Sequence, residues 1–538
     1  MPTWTDLWTG ETIGSALAKA TEQYASRVAM VFENGKVTYQ ELEEKSGLVA
    51  RGLLALGLGR GDLVAIWMAG YAEWSYLYYG AARIGAIMVP VNTRYKSFEL
   101  EYVLNKSRAR MLIFKDETEQ GKKYLDLLGE VSPELREAAP GGLVSTRLPH
   151  LRHVMAVTER ALPGCTSFVE LLKGGAEVPI EELKHAEAQV RSEDPALIQF
   201  TSGTTAFPKG ALLYHGGMLR GSYYNNHFLG ITEKDHFFSP QPFYHVGGTI
   251  QVMLAPVTNG CITYVQTYFD PAGALRLMEK NRCTVTMGHQ PHWIEYLNHP
   301  DLKKRKLNIE RADIFAPPDV RKRVHEEMGI KFLNSPYGMS ESHLGGCSCR
   351  PDDTADRWLN TVGRCMPGME VGVRDNDTGR FLPAGETGEL CFRGWCVMKC
   401  YYDEPAMTAE VIDKDGWLKT GDLGVIDPDG YVRLVGRIKD MIRVGGENVA
   451  AIDVESYLLR HEKVKQAMVV GIPEPRLGEV CVAFVELKSG SQASEDEIVS
   501  YCRSGLAGFK VPRKVIFVST WPLSGTGKIQ KHLLKDMA

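Results

Sequence analysis

No stretch of this sequence stays apolar for the length that a membrane-spanning helix needs; the best candidate, Tyr79 to Val91, is interrupted by Arg83. An excess of charge of one sign is missing as well. The formal net charge is -4 over 538 residues, so composition excludes the strongly basic surface that nucleic acids or anionic membranes demand. The 11 cysteines have no regular spacing, so no disulfide framework is legible and reduced thiols of an intracellular protein are expected. Cys347 with Cys349 and Cys396 with Cys400 are close pairs, yet neither is matched by a second pair at zinc-site spacing. The N-terminus has neither the basic start nor the apolar core of a secretory signal, and Lys535-Asp536-Met537-Ala538 is not a peroxisomal tripeptide. A cytoplasmic location is the expectation. Internal repeats and low-complexity tracts are also absent, which excludes a solenoid.

What is present is an ordinary globular composition, 44% hydrophobic and 24% charged, in a chain long enough for several domains. Apolar runs of strand length (Leu63 to Met68, Ile87 to Val91, Met111 to Phe114) alternate with helical patterns over Glu73 to Arg83 and Phe98 to Asn105. That alternation predicts α/β layering. Residues from about Glu130 to Glu193 are richer in charge, Pro and Gly, and are expected to be surface insertions between two α/β lobes. From Gly388, short β patterns broken at Asp415-Gly416 and Pro428-Asp429-Gly430 predict a β-rich subdomain. Beyond it, a helix over Ile452 to Leu459, strands over Ala467 to Ile472 and Cys481 to Leu487, and a capping box at Ser494-Glu495-Asp496-Glu497 predict a small α+β unit.

The most informative segment is Ile198-Gln199-Phe200-Thr201-Ser202-Gly203-Thr204-Thr205-Ala206-Phe207-Pro208-Lys209-Gly210-Ala211, a hydroxyl-rich, glycine-punctuated turn directly after an apolar strand. Backbone N–H groups at Gly203 and Gly210, the hydroxyls of Thr201, Ser202, Thr204 and Thr205, and the charge of Lys209 can converge on anionic oxygens. Gly210 and Ala211 follow Lys209 where a P-loop has Ser or Thr for magnesium, so this is a different phosphate cradle. The competing reading is a polar strand-to-helix turn with no ligand.

The segment resembles the signature loop of the acyl-adenylate-forming enzymes, which include acyl-CoA synthetases, luciferases and the adenylation domains of peptide synthetases. Four later segments resemble further motifs of that family in order: Tyr337-Gly338-Met339-Ser340-Glu341; Trp417 to Gly424, containing Asp422; Gly436 to Val449; and Ser524-Gly525-Thr526-Gly527-Lys528-Ile529. Val37 to Leu42 and Ala82 to Asn92 resemble its early structural segments, so the likeness covers nearly the whole chain. It implies an α/β fold with a large N-terminal domain of two α/β lobes plus the β-rich subdomain, residues 1–438, and a small mobile α+β C-terminal domain, residues 439–538, hinged near Lys439.

The resemblance also implies roles. Thr201, Ser202, Gly203, Thr204, Thr205 and Lys209 would hold the β- and γ-phosphates of ATP; Tyr337 and Gly338 would flank adenine, and Ser340 the α-phosphate. Glu341 would hold magnesium, Asp422 and Arg437 the ribose, and Lys528 the reacting carboxylate and α-phosphate. Gly445 and Gly446 would admit coenzyme A, while His245, Val246, Gly247 and Phe315 would line the acyl pocket, His245 also gating the thiol tunnel. No aspartate stands near His245 to pair a substrate amine, which disfavours α-amino acids. Two departures stand out: Ala206 for a usual Gly, and Phe315 in a loop that usually reads Gly-Gly-Ala-Pro. The implied activity is ATP-dependent ligation of a small lipophilic or ring-bearing carboxylic acid to coenzyme A, in fatty or aromatic acid metabolism. The rivals are an enzyme loading a carrier protein and a degenerate nucleotide-binding regulator. The partner is a small molecule and not a nucleic acid; oligomeric state stays open, a homodimer among the options.

Overall fold

The computed structural model describes residues 8–116, 123–158, 160–201, 208–445, 447–523 and 529–538. Two large sheets form the N-terminal unit. The first runs in the order Cys400–Tyr401, Lys209–Tyr214, Pro195–Thr201, Ile87–Pro90, Leu63–Trp67, Met111–Phe114, His153–Ala156, Thr166–Ser167. Its last six strands are parallel and its first three antiparallel to one another. The second runs Phe332–Asn334, Arg311–Phe315, Val285–His289, His236–Ser239, Ile262–Val265, Val28–Phe32, Gly35–Thr38, parallel except for its terminal hairpin.

Both faces of a parallel sheet are covered, so its strands become continuous apolar runs. Leu63–Trp67, Ile87–Pro90 and Met111–Phe114 are buried at every position, which is why they were legible. The helix Ala72–Arg83 is buried from Trp74 to its end. Burying polar tips in such a helix costs less where they find partners, as two tyrosines do here. The hydroxyl of Tyr78 donates to the Thr249 carbonyl at 2.9 Å and that of Tyr79 to the Met253 carbonyl at 2.7 Å. Arg83, which breaks the longest apolar run, is buried against Glu43 at 2.8 Å and Glu187 at 2.5 Å. Among the described residues no helix is long and apolar enough to cross a membrane.

Residues 130–193 differ from expectation. They include the sheet strands His153–Ala156 and Thr166–Ser167 and the helix Phe168–Glu177, which packs on Tyr39–Ala55. Close approach explains one of the helix's two glycines: a Cβ on Gly175 would sit 2.1 Å from the Leu48 carbonyl oxygen, whereas one on Gly174 would meet nothing within 4 Å. Gly175 serves packing and not a loop.

The β-rich subdomain is a four-stranded antiparallel sheet, Met369–Arg374, Thr387–Gly394, Leu418–Ile426 and Val432–Arg437, which begins before Gly388. The smaller C-terminal unit has its own core and a sheet in which Val464–Glu474 and Gly478–Leu487 form a long hairpin. Its first helix is Ala451–Leu458, one residue from the expected bounds. At the capping box, the Ser494 hydroxyl accepts the Glu497 amide at 3.2 Å.

Candidate active site

The signature segment is a strand pair, not a strand-to-helix turn: Pro195–Thr201 returns antiparallel as Lys209–Tyr214, with Thr201 opposite Lys209. Ser202, Gly203, Thr204, Thr205 and Ala206 lie outside the described residues. Their flanks are fixed, because Lys209–Tyr214 is held on its other edge by Cys400–Tyr401. That pairing sets the Lys209 Nζ 5.2 Å from the centre of the Tyr401 ring.

Tyr401 also reaches the next motif. Glu341 lies in the short turn Ser340–Ser342, is only 7% exposed, and its Oε1 accepts the Tyr401 hydroxyl at 2.9 Å. Its backbone carbonyl accepts the Met398 amide at 2.8 Å. A carboxylate this deep needs a donor or a cation, and Tyr401 supplies the first. The hydroxyl proton is correspondingly hard to remove: burial, then the charge of Glu341, push the Tyr401 pKa far up. The turn is braced by His343, fully buried, whose Nδ1 lies 2.7 Å from the Cys396 carbonyl while its Nε2 accepts the Tyr214 amide at 3.1 Å.

Tyr337, Asp422 and Arg437 come together although far apart in sequence. The Tyr337 hydroxyl donates to Asp422 Oδ2 at 2.7 Å, and Arg437 Nε lies 3.1 Å from Asp422 Oδ1. Asp422 and Arg437 are cross-strand partners in the β-rich sheet, so backbone pairing sets their separation. Gly338 is required here: a Cβ would lie 2.6 Å from the Leu344 carbonyl oxygen.

A cavity of about 290 Å³ opens at the seam between the large and small units. Tyr244, His289, Phe269 and Glu295 line it from one side, Lys465, Trp521, Leu523 and Ile529 from the other. Leu523 and Ile529 bracket the segment holding Lys528, which lies outside the described residues. His245 follows Tyr244, their rings 5.0 Å apart, and is half-buried like Val246 and Gly247 at the start of the π-helical turn Gly247–Val252. Phe315 is cross-strand from His289, ring centres 4.9 Å apart, so it backs the cavity wall.

Two expected residues sit elsewhere. Lys439 occupies the short turn Ile438–Asp440, its pKa lowered first by burial and then by Arg437. Gly445, at φ 59°, lines a separate cleft of the small unit with Leu477, Phe509 and Arg513; Gly446 lies outside the described residues. Sequence reasoning missed Tyr401 and His343. Tyr401 carries no motif signal, and a histidine two residues after Glu341 was the sole hint of the second.

A family model described as AMP-binding enzyme matches residues 17–402, and one described as AMP-binding enzyme C-terminal domain matches residues 453–528. YngI of Bacillus subtilis (strain 168) is 37% identical over 98% of this chain and 96% of its own length. The mitochondrial medium-chain acyl-CoA ligase ACSF2 of Danio rerio is 36% identical over 98% of this chain and 88% of its own. Among solved structures, the anthranilate CoA ligase AuaEII in complex with anthranoyl-AMP is similar with a TM-score of 0.87 at 25% identity, covering 100% of this chain and 99% of that one.

Proposed function

The chain belongs to the AMP-binding enzyme family and is an ATP-dependent, AMP-forming acid–CoA ligase, and on that premise we propose how its residues divide the reaction. A substrate carboxylate oxygen bonds to the α-phosphorus of ATP as the bond to pyrophosphate breaks; the thiol of coenzyme A then attacks the acyl carbon, and AMP leaves. Negative charge must be held on both sides of the α-phosphorus. Lys209, with Thr201, Ser202, Gly203, Thr204 and Thr205, holds the β- and γ-phosphates. Asp422 and Arg437 hold the ribose, Tyr337 and Gly338 flank adenine, and Ser340 serves the α-phosphate.

The observation that carries this reading is the junction at Tyr401. A cation, Lys209, stands 5.2 Å from the ring whose hydroxyl donates to a buried carboxylate, Glu341, at 2.9 Å. Phosphate oxygens and a hard cation want those two charges side by side. Glu341 is the residue that fits magnesium: it is a buried oxygen donor whose orientation is set by Tyr401. When bound, the ion neutralises charge on phosphate oxygens.

Lys528 acts on the carboxylate and α-phosphate in the first half-reaction. Residues 439–538 then turn about Lys439 to present Gly445 and Gly446 to the thiol, the large domain being 1–438. Gly445 has the positive φ and bare surface that let a narrow pantetheine arm pass. His245, Val246, Gly247 and Phe315 line the acyl pocket. With relatives named for medium-chain acids and for anthranilate, a medium-chain or ring-bearing monocarboxylate is the substrate class.

The test is a panel of aliphatic and aromatic acids assayed for pyrophosphate release, with mass detection of the coenzyme A thioester. Pyrophosphate release without thioester would sink the acceptor, and no pyrophosphate release with any acid of that class would sink the substrate.

A further inference from the structure

The two-pose reading leaves open what holds the small unit in the arrangement seen here. Its hairpin carries the answer in a register shift. Strand Val464–Glu474 pairs with Gly478–Leu487 such that Val464 faces Leu487 and Gln466 faces Glu486, which makes Lys465 the extra residue of a bulge. In a regular strand Lys465 and Gln466 would point to opposite faces. Here both reach one helix of the large unit, Gln290–Asn298: Lys465 Nζ lies 3.0 Å from Glu295 Oε1, and Gln466 Oε1 accepts Gln290 Nε2 at 3.0 Å.

The contact continues inward. Lys465 Nζ is also 3.0 Å from Glu486 Oε1, and the other oxygen of Glu486 accepts the Trp521 indole N–H at 2.6 Å. Trp521 stands just before Leu523, which is bridged to Ile529 across the lysine-bearing segment. On the far side the Gln530 amide donates to the Pro522 carbonyl at 2.8 Å, and Lys531 pairs with the buried Glu455 at 2.7 Å. Polar contacts thus run from Glu295 of the large unit to Trp521 on one flank of residues 524–528, and the other flank is tied back by separate contacts at Pro522 and Glu455.

We propose that Lys465 is a positioning residue for adenylation: bridging Glu295 and Glu486, it latches the small unit in the pose of the first half-reaction, and this rests on the two-pose reading above. The exposures fit a latch. Lys465 is 24% and Glu295 44% exposed, so water can take over their charges when the contact opens. A fully buried pair would resist breaking in every cycle.

Lys465→Gln and Glu295→Gln, each with Lys439→Pro as a separate control, are assayed for pyrophosphate release from acid and ATP, and for thioester formation from supplied acyl-AMP and coenzyme A. Pyrophosphate release should slow about threefold in either latch variant, with thioester formation no slower and the double variant no worse than the singles. Lys465→Arg should restore the rate, and raised salt should bring the parent enzyme toward the variants. Equal loss in both half-reactions, or no loss in either, overturns the latch. Glu295→Gln changes one partly exposed carboxylate of the large unit, so the answer does not depend on Lys465→Gln folding. Failure of the underlying reading has a different signature: Lys439→Pro would then affect both half-reactions alike, whatever the latch variants do.

Discussion

Replacing Asp313 with Asn should stabilise this protein at neutral and alkaline pH while doing little in acid. Asp313 is fully buried in strand Arg311–Phe315, where Gln251 donates to Oδ2 and Asn334 donates to Oδ1 at 2.9 Å. Those two bonds favour the charged form, but burial outweighs them and pushes the carboxyl up to about 7 from 3.8. A carboxyl whose folded pKa is raised keeps its proton longer in the folded than in the unfolded chain. Its favourable contribution is therefore complete below about pH 3.8 and is lost progressively as pH rises to about 7. At about 1.4 kcal/mol per pH unit, that interval amounts to about 4 kcal/mol at pH 8. An asparagine carries no charge to bury, and the Gln251 amide can rotate to offer its oxygen.

The assay is guanidinium unfolding of the large unit, followed by aromatic fluorescence from pH 5 to 8.5. The buried His215 and His343 and the half-buried His292, whose pKa values desolvation lowers to about 4, tilt the absolute curve the other way below pH 6.5. They are common to both proteins and cancel in the difference. The Asp313→Asn variant should gain on the parent by about 1 kcal/mol per pH unit from pH 5 to 7 and then level off. A difference that stays flat across the range would refute the raised carboxyl and with it the buried proton.

Glu341→Gln should lower adenylation and raise the magnesium concentration needed for it; an unchanged magnesium titration puts the metal elsewhere. Tyr401→Phe should weaken the magnesium response about tenfold through loss of one bond to Glu341, and a manganese-binding titration by electron paramagnetic resonance checks this independently of turnover. Lys439→Pro should preserve pyrophosphate release and depress thioester yield, since a fixed φ restricts the hinge; normal thioester yield refutes the hinge. Phe315→Gly should shift relative kcat/KM toward bulkier acids if the ring backs the acid, or weaken ATP binding if it backs adenine; neither change would make Phe315 plain core.

Local patterns in the chain foretold what local physics decides. The fully buried parallel strands read as unbroken apolar runs, and the helix Ala451–Leu458 was found within one residue. The signature segment read as a phosphate cradle after an apolar strand, with a turn into a helix as the rival; what neither reading foresaw is that Lys209–Tyr214 pairs back on the preceding strand and takes Cys400–Tyr401 on its other edge. Residues 130–193 looked like insertions because they are rich in charge, Pro and Gly, yet Gly175 stands there to let two helices approach. Contiguous motifs picked out Tyr337, Glu341 and Asp422, and the structure brings Tyr337 against Asp422. The bond from Tyr401 to Glu341 spans 60 residues, and the bulge at Lys465 exists only through its partner strand, so neither leaves a periodic trace.

The pairing of Asp422 with Arg437 has a mechanical consequence. Both oxygens of Asp422 are already engaged, one by Tyr337 and one by Arg437, so a ribose taking that carboxylate must displace or share a donor. Arg437 is two residues from Lys439. On the proposed assignment, whatever the sugar does to that arginine is felt almost at once by the pivot, and departure of the nucleotide becomes a signal written into the backbone. Product release and resetting of the small domain would then be one event rather than two.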